Sequence, residues 1–308
     1  LFCTDDRHPD TLLREGHIDD LVRRAIARGT PPVTAIRMAS LNTAEYFGLR
    51  GRGAIAPGMR ADLLVLDDLE SLKIAEVYAG GRLVARDGKC LLPRVAHAPM
   101  APATHPRVNP DSLDFRIPAG EGEARVIGLI PDQILTHSLR VTPTIEAGEV
   151  QADPGRDLLK IAVIERHRGS GRIGLGLVRG MGLRAGAIAS TVAHDSHNLV
   201  VIGADDASMR LAVSRVVAMN GGQVLVEGGR ERAACPLPIA GLMSHSPLET
   251  VHDQVRAMTD AAHALGSALS DPLMTMSFLA LPVIPDLKLT DQGLVDVARF
   301  ARVPLFGD

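Results

Sequence analysis

Leu1-Phe2-Cys3-Thr4-Asp5-Asp6 decides the fold of this chain, because two carboxylates follow directly on an apolar run. The pattern predicts the end of a buried strand over residues 1–4 and a polar loop over residues 5–10. Loops that follow strands hold the catalytic residues of barrel enzymes, so we expect catalytic residues in the loop over residues 5–10. One carboxylate can bind a divalent cation while its neighbour, which points the other way, contacts a substrate. A turn or helix-capping pair is the alternative interpretation.

Two helices are predicted after this loop, because apolar residues recur there with a helical period. The first is expected to run from Thr11 to about Arg28, and the second from Pro31 to Phe47. A glycine follows each segment, which agrees with these ends. Residues 1–50 therefore form the first predicted part of the chain, a strand end with the helices that follow it.

A small β unit is predicted next, over residues 51–92. Residues 61–67 contain an apolar run that predicts a buried strand. Residues 75–85 predict a hairpin with Gly80-Gly81 at its tip, because glycine tolerates the positive φ angles that tight hairpin turns need. The change from a helical to a strand-like pattern separates this unit from the helices before it.

A linker is predicted over residues 93–114, where five prolines stand among alanines and histidines. Such a composition favours extended backbone and buries little surface. An α+β domain is predicted over residues 115–308, because strand-like and helix-like patterns are mixed there. The predicted strands cover residues 124–130, 158–165, 199–203 and 223–227, and the predicted helices lie near residues 205–219 and 247–265.

Composition and charge limit the classes of function. The net charge is −3 with mixed signs, and aromatic residues make up 3% of the chain, so neither a basic surface nor stacking side chains for nucleic acid are expected. Cys3, Cys90 and Cys235 lie far apart, which argues against a disulfide framework or structural zinc and suits a reducing cytoplasm. No apolar run reaches the roughly 20 residues that span a bilayer. We therefore expect a soluble, cytoplasmic protein without nucleic-acid or membrane partners.

The densest polar cluster of the chain is His194-Asp195-Ser196-His197-Asn198. It lies between an apolar run and a predicted strand, and is therefore expected in a loop. Two imidazoles with a carboxylate between them can bind a metal, orient a substrate or relay protons. A hydrogen-bonded turn is the alternative. His8 is a further candidate, because it shares the loop of Asp5.

Segments that carry a family resemblance are spread over the whole chain. They resemble bacterial adenine deaminases, which belong to the amidohydrolase superfamily. The resemblance implies the C-terminal end of a (β/α) barrel, part of a small β-sandwich and an additional α+β domain that most amidohydrolases lack. The segments are Phe2-Cys3-Thr4-Asp5-Asp6-Arg7-His8-Pro9-Asp10, Glu15-Gly16-His17-Ile18-Asp19, Val163-Ile164-Glu165-Arg166-His167, residues 186–198, Leu237-Pro238-Ile239-Ala240-Gly241-Leu242-Met243-Ser244, and the stretch from Asp271-Pro272 through Leu281-Pro282-Val283-Ile284-Pro285.

The resemblance implies hydrolysis of adenine to hypoxanthine and ammonia in purine salvage, with one or two ions of manganese, iron or zinc. Such an ion lowers the pKa of bound water from 15.7 towards ~7, and the hydroxide attacks the purine carbon. Asp5 is expected to bind the metal and pass a proton, and Asp6 to lie beside the substrate, although helix capping explains Asp6 equally well. The side chains expected to contact the substrate or to support the site are His8, His194, Asp195, His197 and Asn198.

The resemblance also implies metal ligands that this chain does not contain. Adenine deaminases need a His-x-His pair, a bridging carboxylate and further histidines, and no His-x-His occurs in this sequence. A single carboxylate would bind a divalent ion poorly. We therefore expect a missing N-terminal barrel segment to complete the site, the chain alone to be inactive, and the complete protein to form a homo-oligomer.

Two other functions stay open at this point. The same metal-dependent hydrolysis could act on another aminopurine or on a cyclic amide, because the sequence does not reveal the contacts to the exocyclic group. In the second alternative, residues 115–308 mediate oligomerisation and no catalysis takes place. In the first alternative the enzyme acts on a different substrate, whereas in the second the protein has no catalytic activity.

Overall fold

The computed structural model describes residues 1–93 and 105–307. Its contacts divide the chain into two compact units, Leu1–Met100 and Ala101–Asp308. Half of the predicted linker, residues 94–104, lies outside the described residues, and the division of the chain into four parts stays a prediction. Along the described residues, no helix combines the length and the apolar composition that a membrane span requires.

The first unit has four helices followed by a four-stranded antiparallel sheet within residues 1–93. The strands pair in the order of the chain, β1-β2-β3-β4. The helices are α1 (Pro9–Arg14), α2 (Ile18–Ala27), α3 (Pro32–Ala39) and α4 (Leu41–Tyr46), and the strands are β1 (Leu63–Asp68), β2 (Lys73–Ala79), β3 (Arg82–Arg86) and β4 (Lys89–Cys90). The predicted hairpin is confirmed, with Gly80-Gly81 between β2 and β3.

Each of the two predicted helices is divided into two in the structure. Gly16, between α1 and α2, has a φ of +103°, and a Cβ built there would lie 2.6 Å from the Asp19 carboxylate. Ser40, between α3 and α4, leaves the helical region with φ −129° and ψ −89° and donates its hydroxyl to Ile36 O at 2.6 Å. Helices α2 and α3 supply the residues of the apolar cluster around Val22, whereas α1 and α4 contribute none of its members.

Residues 1–4, predicted as the end of a buried strand, form no strand in the structure, so this prediction is wrong for the described chain. The amide of Phe2 donates to Met38 O at 3.2 Å, near the C-terminal end of α3. A strand needs a neighbour along its edge, and none of the described strands pairs with these residues. Leu1 and Cys3 are exposed.

Strand β1 lies where the sequence predicted it, but it is less buried than predicted. The apolar run predicts a strand covered on both faces, yet Leu64 and Val65 are 52% and 45% exposed. Leu66 packs on the helical cluster around Val22, so one face has a partner. Within residues 1–93, no second layer buries Leu64, and the prediction of a buried strand is therefore wrong here.

The second unit, over residues 105–307, is a mixed α/β structure built on one large sheet. Its helices are α5 (Asp206–Ala218), α6 (Leu248–Ala264) and α7 (Pro272–Ser277), with short 3-10 turns at Pro110–Ser112 and Pro154–Arg156. Its strands are β5 (Ile117–Pro118), β6 (Ala124–Leu129), β7 (Thr136–Val141), β8 (Thr144–Glu146), β9 (Glu149–Gln151), β10 (Leu158–Ile164), β11 (Ile173–Arg179), β12 (Ala187–Ser190), β13 (Leu199–Gly203), β14 (Gly222–Glu227), β15 (Arg230–Pro236), β16 (Leu287–Thr290), β17 (Gly293–Asp296) and β18 (Ala301–Arg302). The predicted strands and helices of this unit are confirmed.

Eight strands form the large sheet, in the order β15-β14-β12-β13-β10-β11-β6-β7. Neighbouring strands are antiparallel except β11 and β6, which are parallel. Two small sheets accompany it, one of β16, β17 and β18 and one of β5, β9 and β8. Because β10, β12 and β13 are adjacent, the segments that follow β10 and β12 come close together.

Both faces of the large sheet are buried, which explains the continuous apolar runs. In β13, Val200 and Ile202 pack with α6 and α7, whereas Leu199 and Val201 pack with α5 on the opposite face. Successive side chains of a strand point to opposite faces, so one run of apolar residues supplies two cores. The loops at the ends of these strands therefore rest on a tightly packed layer.

Candidate functional site

The first candidate site is the loop over residues 5–10 in the first unit. Asp5 has a φ of +53°, its side chain is exposed, and its Oδ1 accepts the amide hydrogen of Asp6 at 3.0 Å. Helix α1 begins at Pro9, and its N-cap residue is His8, so neither aspartate caps that helix. The helix-capping alternative for Asp5 and Asp6 is therefore not what the structure contains.

An ion pair anchors this loop to the helices that follow. Arg7 donates to Gly16 O at 2.9 Å and to Asp20 Oδ2 at 2.6 Å, and both charged side chains are nearly buried. Burial alone would raise the pKa of Asp20, but the hydrogen bond from Arg7 and the charges of Arg24 and Arg7 keep it below its ordinary value. The anchor fixes the residue two positions after Asp5, so the carboxylate stands on a held loop.

Asp5 fits a metal only as a single ligand. Its carboxylate is exposed and an oxygen donor suits a divalent cation. Across the described ranges, however, no group of three His, Cys, Asp or Glu side chains could hold a metal ion. These residues therefore do not fit a complete metal centre, which needs three or four protein ligands.

The second candidate site is the loop between β12 and β13, which contains the predicted cluster His194-Asp195-Ser196-His197-Asn198. The segment after β10, the turn over residues 239–243 and the end of α7 all contact this loop by hydrogen bonds or ring packing, directly or through Arg166. These segments are far apart in sequence. The structure thus brings together four of the stretches that carried the family resemblance.

Glu165 organises the segment after β10. Its Oε1 accepts the amide hydrogens of His167 and Arg168 at 2.6 and 2.8 Å, and its Oε2 accepts the amide and the hydroxyl of Ser170 at 3.0 and 2.8 Å. Burial alone would raise the pKa of Glu165, yet these donors hold it at about 2. The carboxylate therefore stays charged and fixes the turn that presents its two neighbours.

Arg166 joins two loops. Its Nε donates to His197 O at 2.5 Å and its Nη2 donates to Ala240 O at 2.8 Å. The residue is 3% exposed, and burial lowers the pKa of its guanidinium. Gly241 has a φ of +75°, and a Cβ there would lie 2.9 Å from Nη1 of Arg166, so the turn fits closely around the guanidinium.

His197 has a defined tautomer. The amide of Ala193 donates to its Nδ1 at 3.2 Å, so a neutral ring carries its hydrogen on Nε2. Burial and the nearby His194 and Arg166 lower the pKa of His197, and Asp195 opposes them. The ring is therefore neutral at pH 7 and offers an uncharged Nε2–H donor.

The backbone of His197 is strained, and the structure compensates for it. Its φ of +48° is left-handed, which costs a residue with a side chain ~1–2 kcal/mol. A hydrogen bond from a charged group stabilises by ~1.5–3 kcal/mol. The bond from Arg166 to His197 O is thus large enough to hold this conformation.

The remaining residues of the cluster have different surroundings. His194 donates its amide to Ser277 O at 2.8 Å, and its ring packs on Phe278 with centroids 4.6 Å apart. Asp195 is exposed. Asn198 is buried, donates to Asp291 Oδ1 at 3.3 Å and leaves its own Oδ1 without a hydrogen-bond partner among the described residues. Asn198 therefore supports the loop from below, whereas Asp195 faces solvent.

Glu165 and Arg166 were not selected from the sequence, although they stand in one of the quoted segments. The chain does contain a signal for Glu165 and Arg166, because these two charged residues directly follow seven buried strand residues. A charge is rarely buried without a specific partner. The partners lie 31 and 74 residues away from Arg166, so the pattern alone did not name them.

Two family models match the chain. The model for the adenine deaminase C-terminal domain matches residues 133–301, which is more than half of the 308 residues. The model for the amidohydrolase family matches residues 1–84. The first model covers all four segments that meet at the loop between β12 and β13.

Relatives with the name adenine deaminase align with nearly the whole chain. The protein from Desulfatibacillum aliphaticivorans is 56% identical over 307 residues, which are 99% of this chain and 54% of that protein. Those from Oleidesulfovibrio alaskensis and Methanothrix thermoacetophila are 49% and 48% identical over 99% of this chain and 53% of their own length. The chain spans about half the length of these relatives. The predicted resemblance is confirmed, and the chain belongs to the adenine deaminase C-terminal domain family.

Proposed function

We propose that this chain works as part of a longer polypeptide that hydrolyses adenine to hypoxanthine and ammonia. Relatives named adenine deaminase align over 99% of the chain. The structural observation that carries the proposal is the meeting of four distant segments at the loop between β12 and β13. Such an arrangement suits a loop that must present polar groups in a fixed geometry.

The loop offers the kinds of group that a purine needs. His197 presents a neutral Nε2–H donor, and the ring nitrogens of adenine are acceptors. His194 lies beside it, with the two ring centroids 5.7 Å apart, and Asp195 provides an exposed carboxylate. We assign His194, Asp195 and His197 to contacts with the substrate or with groups next to it, and Asn198 to support of the loop.

In the first unit, the proposal makes Asp5 a ligand of a divalent metal ion, of the manganese, iron or zinc type, and Asp6 a substrate contact. His8 supports the same loop. The exposed carboxylate of Asp5 supports this assignment, and so does the match of residues 1–84 to the amidohydrolase family model. The other ligands then belong to the part of the relatives that this chain does not span, because the described residues do not complete a metal centre.

Further parts of the proposal concern the organisation of the protein. We place the end of a barrel at residues 1–50, a β-sandwich segment at residues 51–92, a linker at residues 93–114 and the α+β domain at residues 115–308. We expect the complete protein to act in the cytoplasm as a homo-oligomer. Light scattering on a size-exclusion column measures the assembly, and a monomeric complete protein contradicts this part.

The test of the activity uses the complete protein with divalent metal and follows the loss of adenine and the formation of hypoxanthine by chromatography. We expect turnover by the complete protein and none by the 308-residue chain. A parallel panel contains other aminopurines and cyclic amides. A complete protein that binds metal, leaves adenine intact and hydrolyses another compound of the panel contradicts the assigned substrate.

A further inference from the structure

Two adjacent residues after β10 reach the same stretch of the loop between β12 and β13. Arg166 donates to His197 O at 2.5 Å, and the His167 ring is bonded through Nε2 to Ser196 O at 2.8 Å. Because a carbonyl oxygen only accepts, Nε2 of His167 is the donor. Two neighbouring carbonyls of the loop are thus held by two neighbouring side chains of the strand end.

Arg166 also holds a second segment. Its Nη2 donates to Ala240 O, whose residue has a left-handed φ of +57°, and Nη1 lies over Gly241. The hydroxyl of Thr191, at the start of the loop, donates to Gly241 O at 2.6 Å. The turn and the loop are therefore joined twice, once by Arg166 and once by Thr191.

Among the described residues, the charge of Arg166 has no acidic partner. In the described parts of the chain, its side chain donates to two carbonyl oxygens and forms no ion pair with a carboxylate. A buried guanidinium that serves only to stabilise a core is normally paired with a carboxylate. Arg166 instead donates its hydrogen bonds to backbone carbonyls of the candidate site.

We infer that Arg166 is a positioning residue, whose guanidinium fixes the loop over residues 194–198 against the turn over residues 239–243 so that Nε2 of His197 faces the substrate. This inference rests on the proposed function, since the substrate in question is the purine. Arg166 acts through the backbone and does not itself touch the substrate. The interaction that it supports is binding, so its loss should raise KM more than it lowers kcat.

The experiment compares four variants of the complete protein, Arg166→Gln, Arg166→Lys, Arg125→Gln and Arg125→Lys. Arg125 is the matched control, because it is also a buried arginine of this unit and donates to a backbone carbonyl, Pro304 O, at 2.7 Å. Pro304 belongs to the C-terminal segment and not to the loop. Each variant is measured for adenine KM and kcat and for hydrogen exchange of the peptide that contains residues 192–199.

We expect Arg166→Gln to raise KM ~10- to 100-fold, as for the loss of a charged hydrogen bond, and to speed exchange of residues 193–198. Arg166→Lys keeps a charge and one donor and should recover part of both effects. The Arg125 variants should leave KM and the exchange of this peptide unchanged. Unchanged exchange in Arg166→Gln overturns the inference, and so does faster exchange with an unchanged KM.

Failure of the proposed function gives a different result. If the wild-type complete protein does not act on adenine, the substrate is wrong, and KM is then measured with the compound of the panel that is turned over. If nothing is turned over, the site has no substrate to face, and the inference falls together with the activity even where exchange shows that Arg166 orders the loop.

Discussion

The two candidate loops differ in where their support comes from. The Asp5 carboxylate accepts one hydrogen bond among the described residues, from the amide of its own neighbour. The loop over residues 194–198 is held by Arg166 and His167, which follow β10, and by Ser277 at the end of α7. The second loop is therefore joined to distant parts of the chain, whereas the first is anchored by Arg7 to the helices that follow it and, under the proposed function, offers one metal ligand.

The largest expected effect is the loss of turnover when Asp5→Ala is introduced in the complete protein. We expect turnover to fall roughly 10²- to 10⁴-fold, as for the loss of a group that transfers protons, while the melting temperature stays within about 1 °C because the side chain is exposed. Steady-state kinetics with adenine measures the first and calorimetry the second. Asp10→Ala, which removes the ion pair with Arg14, is the control and should keep full activity. Retained turnover in Asp5→Ala favours the assembly module without catalysis.

A second test compares equivalent leucines in the two units. Leu199 in β13 is fully buried, whereas Leu64 in β1 is 52% exposed. In the 308-residue chain, Leu199→Ala should lower the free energy of unfolding by ~2–5 kcal/mol and Leu64→Ala by less than ~0.5 kcal/mol. Urea denaturation followed by circular dichroism gives both values. Equal losses would mean that Leu64 is covered in solution.

A third test removes the charge that orders the segment after β10. Because the pKa of Glu165 is about 2 in the folded chain and 4.5 ordinarily, its stabilisation is complete above about pH 4.5 and is lost as pH falls towards 2. Glu165→Gln should lower the free energy of unfolding by ~1.5–3 kcal/mol at pH 7 and flatten its dependence on pH in that window. Melting curves between pH 2 and pH 7 measure this, with the exposed Glu121→Gln as control. An unchanged slope contradicts the role of the carboxylate.

The smallest effect separates backbone strain from close packing. Gly241 and Gly229 have φ angles of +75° and +74°, but a Cβ at Gly229 meets nothing within 4 Å, whereas one at Gly241 meets Arg166 and Thr191. Both Gly→Ala variants should lose ~1–2 kcal/mol from the left-handed backbone. Gly241→Ala should lose about 1 kcal/mol more, because Arg166 must move. Chemical denaturation of the two variants measures the difference, and equal losses would show that the turn yields freely.

Sequence patterns predicted the second unit better than the first, for a physical reason. Strand β13 was placed at its observed bounds, because both of its faces are buried and every residue of the run is apolar. Residues 1–4 show an equally apolar pattern, yet a strand is made by hydrogen bonds to a neighbour that the pattern does not contain. The same limit applies to Leu64, whose burial depends on a second layer.

Some features of the candidate site follow from the local sequence, whereas others depend on contacts between residues that are distant in sequence. The cluster from His194 to Asn198 was recognisable because polar residues interrupt two apolar strands. The tautomer of His197 was not predictable, since it depends on the amide of Ala193 in a turn with a left-handed residue. The role of Arg166 depends on carbonyls that only the folded sheet brings near, so charge and position alone did not reveal it.

The hydrogen bonds of Glu165 and Arg166 differ in the length of chain that each must close. Glu165 binds donors up to 5 residues away, whereas Arg166 binds carbonyls 31 and 74 residues away. Loop-closure entropy grows with the logarithm of length, so the longest of these closures costs ~2 kcal/mol more than the turn around Glu165. The turn needs no distant partner, and it fixes the strand end from which Arg166 reaches the two loops. Arg166 therefore makes its long-range hydrogen bonds from a strand end whose backbone the turn around Glu165 already restricts.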